Sequence, residues 1–184
     1  MKEYFHLKTK KGDIIIRDST RDDLRSLTKI YKKSFKKHNI FQKSAFRVED
    51  YLLDNHKKHC KGGGFIVAKN NRDIVGGMLL KCKEVDIKGK HSRWRFNHIA
   101  VETKFRRIGV ATKLLEAGIQ KINNMIKEKK FKSAKIELLV TQKEANTIKL
   151  YKKAGFKIEG ELGCHYRFNE SSYILGKELK IPKL

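Results

Sequence analysis

Residues Phe96–Gln120 read FNHIAVETKFRRIGVATKLLEAGIQ. The first part, FNHIAV, is a short apolar run that suits a buried strand. Further on, ATKLLEAGIQKINNMI sets Ala111, Leu114, Leu115, Ile119, Ile122, Met125 and Ile126 on one stripe of a helix. Between the two lies ETKFRRIG, polar and basic and closed by a glycine. A helix start ordinarily carries Ser, Asp or Asn, whose side chain caps the first backbone N–H groups. Arg107-Ile108-Gly109 offers no such side chain. Those N–H groups suit an anion instead, aided by the dipole of the helix.

Working outward, 184 residues make one domain, spanning 1–184, with enough chain for a substantial core. A hydrophobic fraction of 39% argues for a folded chain although 35% of residues are charged. No apolar run approaches about 18 residues, so no membrane span is expected. The start, MKEYFHLKTKKG, lacks the apolar stretch of a secretory signal. Cys60, Cys82 and Cys164 are odd in number and far apart, which fits reduced thiols in a cytoplasmic protein.

Charge is the unusual feature: 44 Lys+Arg against 20 Asp+Glu gives +24. Such a surplus suits a polyanionic partner such as RNA or ribosome. The lysines are nevertheless spread along the whole chain, with no aromatic interleaving of the kind a base-stacking surface needs. A solvated lysine-rich surface is the favoured reading, and nucleic acid is kept as the less favoured partner.

The remaining elements read in order. DIIIRD is a strand, and STRDDLRSLTKIYKKSFKKH is a helix capped by Ser19 or Thr20. RVEDYLLDNHKKHC is a second helix, stopped by KGGG. GFIVAKN and DIVGGMLLKCKEV form a hairpin through NRD, and KGKHS turns the chain into RWRFNHIAV. The long helix runs from Gly109 to about Lys129. SAKIELLV is a strand, KEANTIKLYKKAG a short helix, and FKIEGEL and SSYILGKELK are closing strands before the single proline, Pro182. That order is α/β, a mixed sheet with helices on its faces. Trp94 and Phe96 belong to the core, and His165 and Tyr166 to a surface loop. HKKHC (His56, His59, Cys60) lacks a second ligand pair, so it reads as a helix end and no metal site is expected.

Two segments together resemble the GNAT superfamily of N-acetyltransferases. Arg106-Arg107-Ile108-Gly109-Val110-Ala111, following HIAV, matches the family's Arg/Gln-x-x-Gly-x-Gly/Ala at the start of a helix. LYKKAGFKIEG (Leu150–Gly160) is similar to its later Leu-Tyr-x-x-x-Gly-Phe segment. The resemblance is specific from Trp94 to Gly160. It implies a GNAT-like fold, a central, mostly antiparallel twisted sheet splayed between its fourth and fifth strands, here Arg93–Val101 and Lys135–Val140, with helices on both faces. It also implies acetyl-CoA as cofactor and a primary amine as acceptor, attacking the thioester directly.

The chemistry suits those residue types. A diphosphate held without a metal is served by successive N–H groups at a helix start. Gly109 lets the backbone approach closely, Ala111 keeps the first turn uncrowded, and Arg106 and Arg107 add charge. The resemblance thus marks Arg106, Arg107, Ile108, Gly109, Val110, Ala111 and Thr112 as cofactor-binding, with Ile99, Ala100 and Val101 as the strand edge for the pantetheine amides. A backbone N–H near Val101 would face the thioester carbonyl, a role worth about 3 kcal/mol. Neither a phosphate-binding Gly-x-x-x-x-Gly-Lys-Ser/Thr nor a dinucleotide loop is present, since KGGGF precedes a strand.

By the same resemblance Tyr151 is the acid that protonates the leaving thiolate. A thiol near pKa ~8.5 and a phenol near ~10 are close enough to hand over a proton. The family's cofactor-binding Asn lies seven residues before that tyrosine, where this chain has Glu144; Asn146, five before it, is the nearest counterpart. The family's strand carboxylates fall on Arg95 and Leu139, which cannot act as bases. His98, Glu102 and Glu137 remain, with His98 first because imidazole titrates near neutrality. Deprotonating a lysine amine near pKa ~10.4 costs about 4–5 kcal/mol at neutral pH, an α-amine near ~8 about 1, so the site leans towards an α-amine. The second class of function is a non-catalytic or ribosome-associated binding protein of the same fold. A homodimer is compatible with either.

Overall fold

The computed structural model describes residues 2–57, 62–71, 73–128, 130–166 and 169–180. His59, Cys60, Lys129 and Pro182 lie outside them. Among the described residues there are eight strands and five helices. They run β1 (Glu3–Leu7), β2 (Ile14–Asp18), α1 (Asp23–Ser34), α2 (Asn39–Gln42), α3 (Ala45–Lys57), β3 (Gly64–Asn70), β4 (Asp73–Asp86), β5 (His91–Val101), α4 (Val110–Glu128), β6 (Ser133–Thr141), α5 (Ala145–Lys153), β7 (Lys157–Tyr166) and β8 (Glu170–Lys180). A 3-10 turn, Thr103–Phe105, links β5 to α4. The strands are hydrogen-bonded in the order β1-β2-β3-β4-β5-β6-β8-β7, a mixed sheet. The chain divides into two compact units, residues 1–81 with 98–121 and residues 82–97 with 122–184.

In the first unit β1, β2, β3 and β4 pair antiparallel. Gly64–Ala68 of β3 are all buried, so both faces of that strand are covered. One face receives Leu24, Leu27 and Tyr31 of α1, Phe41 of α2, and Val48 and Leu52 of α3 against Phe65, Val67, Leu79 and Ala100. Burying each such side chain is worth about 2 kcal/mol. The Gly-Gly pair of β4 sets the spacing. A Cβ on Gly77 would stand 2.6 Å from Leu27 Cδ1, and one on Gly76 2.9 Å from the Ala100 carbonyl oxygen. Helix α1 and strand β5 therefore pack against bare backbone.

The start of α1 differs from expectation. Neither Ser19 nor Thr20 caps the helix from its side chain; instead the Asp23 carboxylate reaches back to accept the Thr20 N–H at 2.7 Å. Arg17 donates to both Asp23 oxygens, at 2.7 and 2.9 Å. Burial alone would raise the Asp23 carboxyl, but these hydrogen bonds and the Arg17 charge hold it below the usual carboxylate range.

In the second unit β5 and β6 pair in parallel from His91↔Ser133 to Arg95↔Glu137. Beyond that ladder β5 runs on to Val101 and β6 to Thr141. These are the two strands expected to part. β8 lies antiparallel to both β6 and β7. Trp94 is fully buried, its indole N–H donating to Ser92 Oγ at 3.0 Å.

Three elements differ from the sequence reading. β1 was not expected, α2 is a separate short helix, and β7 extends through His165 to Tyr166, which the sequence places in a loop. No helix among the described residues is long and apolar enough to cross a membrane.

Candidate active site

The first unit holds the segment on which the fold turns. Past Val101 the chain is pinned by the Glu102 N–H on the Val75 carbonyl at 2.8 Å, and Phe105 is buried as a plug. Arg106 then turns back, its Nε donating to the Val101 carbonyl at 2.8 Å. Arg107 at φ +63° and Gly109 at φ +89° both take the left-handed conformation, which lifts the backbone off the strand and aims it into α4. Within 4 Å, a Cβ on Gly109 would meet only Leu7, at 3.8 Å, so the space beside it is open.

The Lys113 N–H bonds to the Gly109 carbonyl at 3.0 Å, closing the first turn of α4. The N–H groups of Val110, Ala111 and Thr112 precede that closure and have no partner inside the helix. No side chain caps them from Arg107, Ile108 or Gly109, and Arg106 and Arg107 are exposed beside them. Donor dipoles, an open glycine and two guanidinium groups fit a diphosphate, so the residues present suit coenzyme A.

One residue upstream of Ile99–Val101, His98 sits at φ +51°, left-handed inside a strand. Its Nε2 shares a hydrogen bond of 2.9 Å with the Tyr51 hydroxyl. The rings of Phe41, His38, Phe35, Tyr31 and Tyr51 surround it with centroids 4.9 to 5.9 Å away. Burial, with smaller contributions from His38 and Lys81, pushes its pKa down to about 3. The imidazole expected to serve as base is thus neutral at working pH and a weak proton acceptor. Burial likewise raises the Tyr51 and Tyr31 hydroxyls. This cage draws on three helices and a strand, and no local sequence signal marks it.

Beside the same segment a cavity of about 340 Å³ is lined by Ile30, Lys33, Ser34 and Lys36 at the end of α1 and by Glu102, Thr103 and Arg106 after β5. The lysines lining it are not singled out by any motif.

The second unit carries Tyr151, Asn146 and Glu137. Tyr151 lies in α5 and is 7% exposed. Its ring packs on Phe156 at 6.3 Å, and Phe156 on Phe96 at 6.1 Å. The helix ends there because Gly155 adopts φ +85° and the Phe156 N–H closes on the Tyr151 carbonyl at 3.1 Å. Asn146 is exposed in the first turn of α5. Glu137 pairs with Arg95 at 3.1 Å and with Arg93 at 3.9 Å. Of the three groups considered as bases, His98 is caged and Glu137 is ion-paired, while Glu102 borders the cavity.

Residues 61–158 match the model of the acetyltransferase (GNAT) domain. An N-alpha-acetyltransferase of Saccharolobus solfataricus is 28% identical over 177 residues, 94% of this chain and 97% of that protein. The L-amino acid N-acetyltransferase AaaT of Escherichia coli is 26% identical over 168 residues, 89% of this chain and 94% of its own. Among solved structures, Arabidopsis thaliana Naa50 in complex with the bisubstrate analogue CoA-Ac-MVNAL gives a TM-score of 0.69 at 18% identity, over 89% of this chain and 97% of that one. At that identity the likeness is one of fold.

Proposed function

The chain belongs to the GNAT family of acetyltransferases, and from that premise we propose that its acceptor is an α-amine. It is an acetyl-CoA-dependent N-acetyltransferase. The observation that carries the acceptor class is the state of His98. An imidazole held near pKa 3 and already bonded to Tyr51 does little to deprotonate a lysine-type ammonium. An α-amine needs far less help, because a useful fraction of it is neutral at pH 7. The two curated relatives point the same way, since both are named for acetylation at an α-amine.

Acetyl-CoA supplies the acetyl group as an activated thioester. Arg106 to Thr112 hold its diphosphate, and the exposed backbone of Ile99, Ala100 and Val101 aligns the chain of amides that leads to the sulfur. Asn146 adds a cofactor contact from α5. Tyr151 Oη gives up the proton taken by the leaving thiolate. His98 holds the turn of β5 rather than moving a proton, so the donors that follow it face one way.

Thiol release from acetyl-CoA tests this over α-amines and over ε-amines of N-blocked lysine. Turnover with α-amines, at least about 10-fold faster than with ε-amines, is expected. Equal or better turnover of blocked lysine overturns the acceptor class. In the same assay Tyr151→Phe lowers kcat about 100-fold with little change in acetyl-CoA affinity, the usual scale for a positioned acid. A full rate in that variant returns Tyr151 to a packing role.

A further inference from the structure

Resting on the α-amine reading, we propose that the cavity between the end of α1 and the end of β5 is the acceptor pocket and that it takes a free α-amino acid. Its lining has two poles. Lys33, Lys36 and Arg106 supply positive charge, and Glu102 supplies a carboxylate. Arg106 already spends Nε on the Val101 carbonyl, which fixes the guanidinium and leaves its outer N–H groups for another anion. Glu102 is held at the mouth by its own backbone bond to Val75 and only loosely by Lys104, at 3.8 Å and partly in solvent.

A free amino acid matches this arrangement atom for atom. Its carboxylate accepts charge-assisted hydrogen bonds from the lysines, and its amino group donates to Glu102 in either protonation state. A peptide N-terminus presents the same amino group followed by a neutral amide, which leaves the cationic pole unanswered. Discrimination of that kind is strong because a site built for a charged group loses its partners when the group is missing. A volume of about 340 Å³ is at the small end of ligand cavities, roughly 300–1,000 Å³, and suits an amino acid. Its position also serves transfer: Glu102 directly follows Val101, the end of the strand edge assigned to the cofactor, so an amino group on Glu102 lies next to that edge. The curated relatives do not decide between the acceptors, since their names cover both protein-type and free amino acid substrates.

The experiment compares free L-amino acids, their carboxamides and tetrapeptides with the same first residue, by thiol release at fixed acetyl-CoA. Free amino acids should show KM at least about 10-fold below the carboxamides, the worth of one charge-assisted contact. The double variant Lys33→Glu with Lys36→Glu changes two exposed side chains. It should raise KM for the amino acid about 10-fold or more, erase the preference over the carboxamide and leave KM for acetyl-CoA within about two-fold. Glu102→Gln should raise KM for amino acid and carboxamide alike. Carboxamides or tetrapeptides used as well as free amino acids overturn the pocket while leaving the α-amine reading intact. So does a double variant that moves KM for acetyl-CoA instead of the acceptor. Failure to acetylate any α-amine, with acetyl-CoA still raising the melting temperature, overturns the α-amine reading and this inference with it.

Discussion

A left-handed backbone costs a residue with a Cβ about 1–2 kcal/mol, and His98 meets that cost at φ +51° through its ring contacts and its bond to Tyr51. Because the ring is held neutral, it also links stability to pH. Its pKa is about 3 when folded and 6.5 when exposed. Between those values the unfolded chain takes up a proton that the folded chain refuses, so stability is full above about pH 6.5 and falls as pH drops towards 3. From pH 7 to 5 the loss is at most about 2 kcal/mol. Asp23 works in a lower window: its contribution is present above its ordinary pKa of 3.8 and is lost only below it. Urea unfolding at pH 7 and pH 5 separates the two. His98→Asn, which tolerates a positive φ, should be less stable at both pH values yet lose at least half of the pH 7-to-5 difference. An unchanged difference would mean that this imidazole protonates as freely in the folded chain as in water.

At the scale of an element, the start of α4 decides whether the cofactor binds. A ligand at 100 times its Kd stabilises the folded state by about 2.7 kcal/mol, roughly 5–10 °C in a chain of this size. Gly109→Glu puts a side chain and a negative charge where the diphosphate is assigned and strains φ +89°. It should abolish the acetyl-CoA shift in a thermal scan. Arg107→Glu, exposed and already left-handed, should weaken the shift without that strain, and a full shift in both variants removes the diphosphate from this turn. The strand, basic turn and helix from Phe96 to Gln120 were legible because their hydrophobic periods are strong and local, and so was Leu150–Gly160. Strand β1 was not: EYFHL pairs at the sheet edge with its side chains exposed or half-buried, so it shows no buried alternation. α2 spans NIFQ alone, too short for a period to register. The cage around His98 and the lysines of the cavity come from residues far apart in sequence, and a left-handed histidine is a backbone event that composition does not announce.

For the molecule as a whole the open quantity is its charge. Each ion pair consumes one acid and one base, as in Lys121–Asp18, Arg93–Glu84 and Lys143–Glu170. Pairing therefore cannot reduce the surplus of +24, which faces solvent or a partner. A nucleic acid would exploit it by releasing counterions, with affinity falling linearly in the logarithm of salt and a slope that counts the phosphates neutralised. A solvated surface without a defined footprint also binds polyanions at low salt, but it loses them once the screening length shrinks to about 8 Å near 0.15 M. The chain has a sink for anions of its own in the turn Arg106–Gly109 and the cavity beside it, and both call for a few local contacts rather than a long track. The expected result is thus weak RNA binding that vanishes at physiological ionic strength, while acetyl-CoA binding weakens only as a handful of phosphate contacts allows. Titration of labelled RNA at about 20 mM and about 150 mM salt, with and without saturating acetyl-CoA, measures both. Saturable RNA binding that survives 150 mM salt would make the basic surface a recognition surface in its own right, and competition with acetyl-CoA would locate it at the start of α4.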